Sequence, residues 1–398
     1  MAERTDRPYD VVLFGASGFT GGLVAEYMAG HADLRTRPNW ALAGRSLQKL
    51  RAVRERLTAI EPAVGDLALL PADATDPDSL RRVAESARVV ASTVGPFIRY
   101  GEGLVAACAA TGTDYVDITG EPAFVDEMYL RHHAEAQRTG ARLVHACGFD
   151  SVPHDLGARF TVLHLPEGQP LTVEAFVRAG GAISGGTYHS AVEAMAGLRE
   201  ARRVAARRAQ VEERPADRRV RGLVKGPHRD PVGGGWVVPA PTIDPQIVLR
   251  SARALARYGP DFRYGHYIAT RRALPTAGLA VGVGAIVALA QIPPARALLL
   301  RAKDPGEGPD PERRARSWFS VRFAGRVGDE SEPRVVCEVS GGDPGYGETA
   351  KLLAESALCL AHAELPETAG QVTPAVAMGE ALTARLRAAG IRFDVASA

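Results

Sequence analysis

Over the first 150 residues the chain alternates short unbroken apolar runs with longer segments of mixed polarity. Asp10-Val11-Val12-Leu13-Phe14 is the first run, and Asn39-Trp40-Ala41-Leu42-Ala43 the second. Others lie at Asp66–Leu70, Arg88–Thr93, Asp114–Asp117 and Arg142–Ala146. Continuous runs of this length predict strands buried on both faces, as in a parallel sheet. Between them, Leu47–Ile60, the stretch after Asp76-Pro77 and Gly101–Ala110 predict helices. Strands and helices in alternation predict an α/β fold with a doubly wound parallel sheet.

Past Pro153 the rhythm changes. Leu171–Val177, Trp318–Phe323 and Arg334–Val339 alternate as strands, which predicts a second, α+β domain on a mainly antiparallel sheet. A glycine-rich link, Gly180-Gly181 and Gly185-Gly186, leads to Thr187, and a long helix is expected from there to about Gln210. Helices at Ala350–Ala363 and Val376–Ala389 are expected to pack back on the first domain. With 398 residues, more than one core is the default. The expected division is 1–153, 154–345 and a C-terminal segment 346–398.

The first strand feeds directly into Gly15-Ala16-Ser17-Gly18-Phe19-Thr20-Gly21, and a helix-forming stretch follows. A strand, a glycine-spaced turn and a helix form the Rossmann dinucleotide-binding layout, in which the backbone approaches a pyrophosphate at a helix N-terminus. Gly15, Ser17, Gly18, Phe19, Thr20 and Gly21 are therefore the first cofactor candidates. The second strand ends in Gly44-Arg45-Ser46. An NAD site usually places a carboxylate here for the ribose 2′-hydroxyl, whereas Arg45 offers a charged fork for a 2′-phosphate. Ser46 can add a hydroxyl while capping the next helix. The expected cofactor is NADP or NADPH. Asp73, after strand three, either meets adenine or caps its own loop; Val94, Gly95, Pro96 and Phe97, after strand four, fall beside the nicotinamide end.

Composition changes this picture little. The chain is 46% hydrophobic and 24% charged, with a formal net charge of +2, so nothing global points to nucleic acid. Cys108, Cys147, Cys337 and Cys359 have no paired spacing and sit in apolar segments, as reduced thiols of a cytoplasmic protein do. The charged start, Met1–Arg7, runs straight into the first strand and leaves no room for a signal peptide. No metal-binding spacing is visible: His132 and His133 are adjacent and would face different sides of a helix.

Two segments stand apart. Arg199–Arg229 holds eleven Lys or Arg against four Asp or Glu. It is either a solvated helix and loop or a surface for an acidic partner, such as a carrier domain or anionic lipid headgroups. Ala273–Ala295 carries no charge and is flanked by Arg271-Arg272 and Arg296. It suits a spanning helix, a buried core helix, or a surface meeting a membrane or a second subunit, as in a homodimer.

As a set, Gly15–Gly21, Ala43–Ser46, Thr93–Phe97 with Arg99-Tyr100-Gly101, Gly112–Glu121 and Ala146–Pro153 resemble the saccharopine dehydrogenase-like oxidoreductases. Within that group the chain is most similar to the trans-acting enoyl reductases of actinobacterial polyketide-lipid synthesis, a similarity that extends to Thr373-Pro374-Ala375 and Met378–Leu382. The resemblance implies an NADPH-dependent reductase serving a separate synthase, acting on acyl or polyketide thioesters held by a carrier, with peripheral contact at the inner face of the plasma membrane. Enoyl reduction needs an acid or oxyanion donor beside the hydride path. Tyr100 is the first candidate, against a packing role at a helix start. Thr119 and Glu121 either touch substrate or cap a helix, as do Asp150 and Ser151, and Tyr188 with His189 follows the glycine-rich link. Reduction of an imine or carbonyl, and a non-catalytic NADP-binding scaffold, are the alternatives.

Overall fold

The structure is a computed structural model that describes residues 6–35, 39–180, 192–193, 195–270, 273–301 and 311–397. The chain divides into two compact units. One holds the residues up to Gly148 together with Tyr346–Arg385; the other holds Phe149–Gly345, apart from a short internal stretch, and the residues from Leu386 onward.

The first unit is built on seven parallel strands: β1 (Tyr9–Phe14), β2 (Trp40–Gly44), β3 (Ala68–Pro71), β4 (Ala87–Ser92), β5 (Asp114–Asp117), β6 (Arg142–Val144) and a last strand, Gly370–Val372. Their order is β3-β2-β1-β4-β5-β6 with Gly370–Val372 beside β6. Val11, Val12 and Leu13 of β1 have no exposed surface, and all five residues of β2 are buried. That two-sided burial is why these strands read as unbroken apolar runs rather than alternating ones. Helix Gly347–His362 covers the sheet through Leu352, Leu353, Ala357 and Leu358, all fully buried, and packs on β1, β4, β5 and helix Phe19–Gly30.

One buried polar cluster ties that helix down. Glu355 accepts from Tyr27 Oη at 2.5 Å and Arg385 Nε at 2.7 Å, and faces His31 Nε2 at 3.0 Å. Helix Pro122–Thr139, eighteen residues long, joins β5 to β6; the sequence patterning had not marked it. Its turn onto β6 uses Gly140 at φ +80°, a left-handed position that a glycine adopts without strain.

The second unit has β7 (Leu171–Gly180), β8 (Arg219–Gly222), β9 (His228–Arg229), β10 (Trp236–Pro239), β11 (Asp261–Thr270), β12 (Trp318–Val327), β13 (Val335–Gly341) and a last strand, Arg392–Ser397. The sheet is mixed: β7 and β8 both pair with β11 in parallel, while the pairings of β12 with β7 and β13, β10 with β9 and β11, and β13 with Arg392–Ser397 are antiparallel. The parallel pair at its centre was not expected, because β11 carries no clear alternation. Helices Val152–Leu163 and Asp244–Ala254 cover one face. A Cβ on Gly157 would stand 2.4 Å from the Phe323 ring, so only glycine lets this helix approach the sheet so closely. On the other face Glu174 is buried between Lys225 Nζ at 2.8 Å and Arg326 Nη1 at 2.6 Å.

Boundaries moved where propensity competed with pairing. The third strand begins at Ala68 rather than Asp66, and the basic helix is seen over Leu198–Val211. The apolar segment forms helix Ala273–Ala290, packed on β10 and β11, then a break at Gln291-Ile292 and helix Pro293–Arg301, which packs on the first helix. Among the described residues no helix is long and apolar enough to cross a membrane. Leu289, Ile292 and Leu298 are 42%, 50% and 71% exposed, whereas Ala290 is buried, so the segment is not a core helix along its described side chains.

Candidate functional site

The strand order reverses between β1 and β4, and in an open α/β sheet the crevice for a ligand opens there, beyond the carboxyl ends of the strands. The glycine loop leaves β1 on one side. Gly15 has φ +94°, and its amide donates to Ala43 O at 2.9 Å, so the turn is anchored to β2. The Gly18 amide folds back on Gly15 O at 2.9 Å. A Cβ on Gly15 would lie 2.6 Å from Thr93 Oγ1, and one on Gly21 would lie 2.1 Å from Gly15 O. The loop thus fits a cradle that a side chain would fill.

Ser17, Gly18 and Phe19 are exposed at its rim. Phe19 packs edge-on against Tyr346, with ring centroids 4.8 Å apart. Tyr346 comes from far along the chain and carried no signal in the sequence. Helix Phe19–Gly30 begins at Gly18 without a side-chain cap and without an acidic residue in its first turn, and Thr20 lies in that turn. Its first amides and its dipole therefore point at the rim and suit an anion. These features fit the pyrophosphate of a dinucleotide.

On the far side of the loop, Gly44 stands close to Ser17, a Cβ built there being 3.7 Å from Ser17 Oγ. Arg45 follows and is exposed, and Ser46 caps helix Leu47–Thr58 by accepting from Lys49 N at 3.3 Å. Asp73 accepts from Thr75 N at 2.8 Å and Thr75 Oγ1 at 2.7 Å. Those hydrogen bonds, with the charge of nearby Arg45, hold its pKa below the usual carboxylate value. Asp73 therefore caps its loop, the plainer of its two readings, and stands beside Arg45 while doing so.

The β4 exit faces the loop. Thr93 Oγ1 donates to Phe14 O and Gly15 O, each at 3.3 Å, and Val94, Gly95 and Pro96 follow, half-buried or exposed, before buried Phe97. The short helix Phe97–Tyr100 is capped from β5. Glu121 accepts the amides of Phe97 at 2.9 Å and Ile98 at 2.8 Å through its two oxygens. Glu121 is thus a cap. Its own amide donates to Thr119 Oγ1 at 3.2 Å, and the Thr119 amide donates to Asp117 Oδ1 at 3.0 Å. Thr119 has no exposed surface, so its hydroxyl serves the turn. Asp117 also accepts from Ala146 N at 2.9 Å and meets His145 Nδ1 at 2.7 Å, locking the ends of β5 and β6 together. Tyr100, at the end of the capped helix, is 40% exposed.

Four loops, the first and last of them more than seventy residues apart in sequence, are thereby brought to one crevice: Gly15–Gly21, Gly44–Ser46, Asp73 and Thr93–Tyr100. Tyr188 and His189 lie outside the described residues. In the second unit Asp150 is half-buried, and burial followed by repulsion from Asp244 pushes its pKa up. Ser151 is buried at φ +118°, where it starts helix Val152–Leu163 without a side-chain cap. That unit also has a cleft of about 520 Å³ whose lining includes Arg178, Arg322, Arg392, Trp318 and Glu338. The four cysteines are free and buried.

Comparison with known proteins agrees with this geometry. Residues 11–144 match the saccharopine dehydrogenase NADP-binding domain. A trans-acting enoyl reductase of Mycobacterium ulcerans is 35% identical, with 97% of each chain covered. Its namesake in Mycobacterium tuberculosis is 36% identical, again with 97% of each covered. Among solved structures, apo saccharopine dehydrogenase (L-Glu forming) from Saccharomyces cerevisiae superposes with a TM-score of 0.54 at 12% identity, covering 98% of this chain and 100% of that one, which shows a shared fold. With identity at this level over nearly its whole length, the chain belongs to the trans-acting enoyl reductase family, NADP-dependent oxidoreductases built on a saccharopine dehydrogenase-type NADP-binding domain.

Proposed function

We propose that the protein is an NADPH-dependent enoyl reductase that works in trans on an acyl or polyketide thioester in lipid biosynthesis. The observation that carries this reading is full-length likeness to trans-acting enoyl reductases in a chain that keeps the glycine cradle and Arg45. In this reading the first unit is the cofactor-binding domain, and the second is a substrate and dimerisation domain. Gly15, Gly18 and Gly21 hold the pyrophosphate, Arg45 and Ser46 the 2′-phosphate, and Val94–Phe97 flank the nicotinamide. When bound, NADPH supplies the hydride that the β-carbon of the enoyl group accepts.

The chain's own residues supply the rest. Tyr100 holds a proton at Oη and delivers it to the α-carbon, or donates a hydrogen bond to the thioester oxygen as charge develops there. Glu121 and Thr119 act through Tyr100: they fix the turn that carries it. Docking of an acidic carrier domain falls to Arg199–Arg229. Part of that charge is used internally: Arg208 pairs with Glu212 at 2.6 Å, and Arg218 donates to the carbonyls of Ala252, Arg253 and Leu255. Arg202, Arg203 and Arg207 are exposed on the helix, Arg203 also facing Glu200 at 3.5 Å, and suit an acidic surface. The exposed apolar pair of helices, with Arg296 and Arg301 beside it, supports contact with anionic membrane.

The test uses NADPH deuterated at C4 with a panel of enoyl thioesters, both free and carrier-bound, and mass spectrometry of the products. Deuterium at the β-carbon is expected. Deuterium on a carbinol or amine carbon instead would mean carbonyl or imine chemistry, and no transfer with NADPH bound would mean a non-catalytic role.

A further inference from the structure

The second unit contains a buried constellation that none of the chemistry above uses. His154, the third residue of helix Val152–Leu163, Asp244, the first of helix Asp244–Ala254, and His266, in the middle of β11, converge beneath the helix-covered face of the sheet. All three side chains are 2% exposed. His154 Nε2 lies 3.4 Å from Asp244 Oδ1, and His266 Nε2 lies 3.4 Å from Asp244 Oδ2. One donor atom from each residue lies within 4.8 Å of the other two.

As a purely hydrogen-bonded network this arrangement is poor. Protein hydrogen bonds of this type span about 2.7–3.2 Å, and both separations exceed that. Asp244 Oδ1, the oxygen that faces His154 Nε2, is buried without a hydrogen-bond partner, a costly state for a polar atom in the interior. As a set of ligands the arrangement is apt: each imidazole nitrogen stands 3.4 Å from one carboxylate oxygen, and one donor atom from each residue falls within 4.8 Å of the others. Nitrogen and oxygen ligands sit about 2.0–2.1 Å from a zinc-like ion, so adjacent donors in a tetrahedron stand about 3.4 Å apart.

The surroundings also fit. Tyr264 Oη lies 3.1 Å from His266 Nδ1, which leaves Nε2 to face the cluster, the outer-shell arrangement that orients metal-bound imidazoles. Each donor comes from a different element, and the two helices pack on each other and on the sheet, so the site is held by the core of the unit.

We propose that His154, Asp244 and His266 bind one divalent first-row transition ion of the zinc type. Two imidazoles and one carboxylate select for such an ion over magnesium or calcium, which prefer all-oxygen sites. Three protein ligands leave a fourth position for water or a substrate oxygen. No local spacing could have revealed this site, because its residues are scattered over more than one hundred positions.

The test titrates the full-length protein, first stripped with a chelator, with cobalt(II) and zinc(II). One equivalent of cobalt per chain with visible d–d bands, a rise in thermal midpoint with either ion, and loss of both in Asp244→Asn and His266→Gln are expected. Tyr264→Phe, which keeps the shape of the core, should weaken zinc affinity by about tenfold or more. Absence of cobalt bands and of a thermal shift in the unsubstituted protein would overturn the proposal. So would uptake that is unchanged in all three variants, since the ion would then sit elsewhere.

Discussion

A side chain on Gly21 would collide with Gly15: a Cβ built there stands 2.1 Å from the Gly15 carbonyl oxygen. That oxygen cannot retreat freely, since it also accepts the Gly18 amide and the Thr93 hydroxyl. Gly21→Ala should therefore distort the cradle, lower stability by about 2 kcal/mol and weaken NADPH binding by tenfold or more, about 1.4 kcal/mol. Gly22 is the control. A Cβ there meets the tip of Arg56 at 2.9 Å, a flexible group, so Gly22→Ala should be neutral or gain up to about 1 kcal/mol from helix propensity. Urea unfolding with a fluorescence titration of NADPH measures both. Equal losses in the two variants would refute the packing argument.

Arg45 is exposed just past the end of β2, the position at which an NAD site usually places a carboxylate. Arg45→Ala should reduce NADPH affinity by about 10–100-fold while leaving NADH nearly unchanged, because a hydrogen bond to a charged group contributes about 1.5–3 kcal/mol. Isothermal titration with each nucleotide gives the ratio. Parallel weakening of both would remove Arg45 from 2′-phosphate recognition.

For Tyr100, the proposed proton donor, Tyr100→Phe should cut kcat by 100-fold or so with little change in NADPH affinity. Thr119→Val should act differently: it deletes a buried hydroxyl that accepts the Glu121 amide, and should cost about 1–3 kcal/mol of stability. Steady-state kinetics beside thermal melts separate the two roles. Unchanged turnover in the tyrosine variant would make solvent the proton source.

The Glu355 cluster sets a pH dependence. Burial pushes its carboxyl upward, but hydrogen bonds from His31 and Tyr27 and the charge of Arg385 outweigh it and hold the pKa below the usual 4.5. A folded-state value below the unfolded one means the unfolded chain binds the proton more readily. The contribution is thus fully present above about pH 4.5 and is lost as the pH falls through the folded-state value. Glu355→Gln should lower stability near neutral pH by about 1–3 kcal/mol, because Arg385 keeps its pairing with Asp33 at 3.1 Å but loses the buried carboxylate, and should flatten the acid limb below about pH 4.5. Urea midpoints across that range decide it; an acid limb as steep as before would assign it to other groups.

Leu289, Ile292 and Leu298 present apolar side chains to solvent near Arg296 and Arg301. If they meet membrane, the protein should float with anionic vesicles at low salt, float less at high salt, and lose flotation in a Leu289→Ser, Leu298→Ser double variant. Recovery wholly in the soluble fraction at low salt would count against membrane contact.

Much of the first unit was legible in the chain itself. Strands buried on both faces must be apolar throughout, and a turn that brings backbone against backbone must be glycine, so β1, β2, β4 and the Gly15–Gly21 loop announce themselves locally. Helix boundaries were less clear: Pro122–Thr139 mixes His132-His133 and charged residues along a helix only partly buried, which blurs its period. The parallel pairing of β7 with β11 depends on which edges meet, and β11 is too polar to alternate cleanly.

At the site, the identity of the candidate residues was local information, but their roles were not. Glu121 and Thr119 carry groups able to bind substrate or to cap, and the tertiary structure sets the Phe97 and Ile98 amides against Glu121 and the Glu121 amide against Thr119. Tyr346 reached Phe19, and His154, Asp244 and His266 reached one another, through the close packing of helices on sheets. Sequence by itself determined what the backbone can do within a few residues, since steric freedom and two-sided burial act over that range. Which distant side chains share a pocket was decided by the tertiary structure alone, because sheet order and helix packing set those distances.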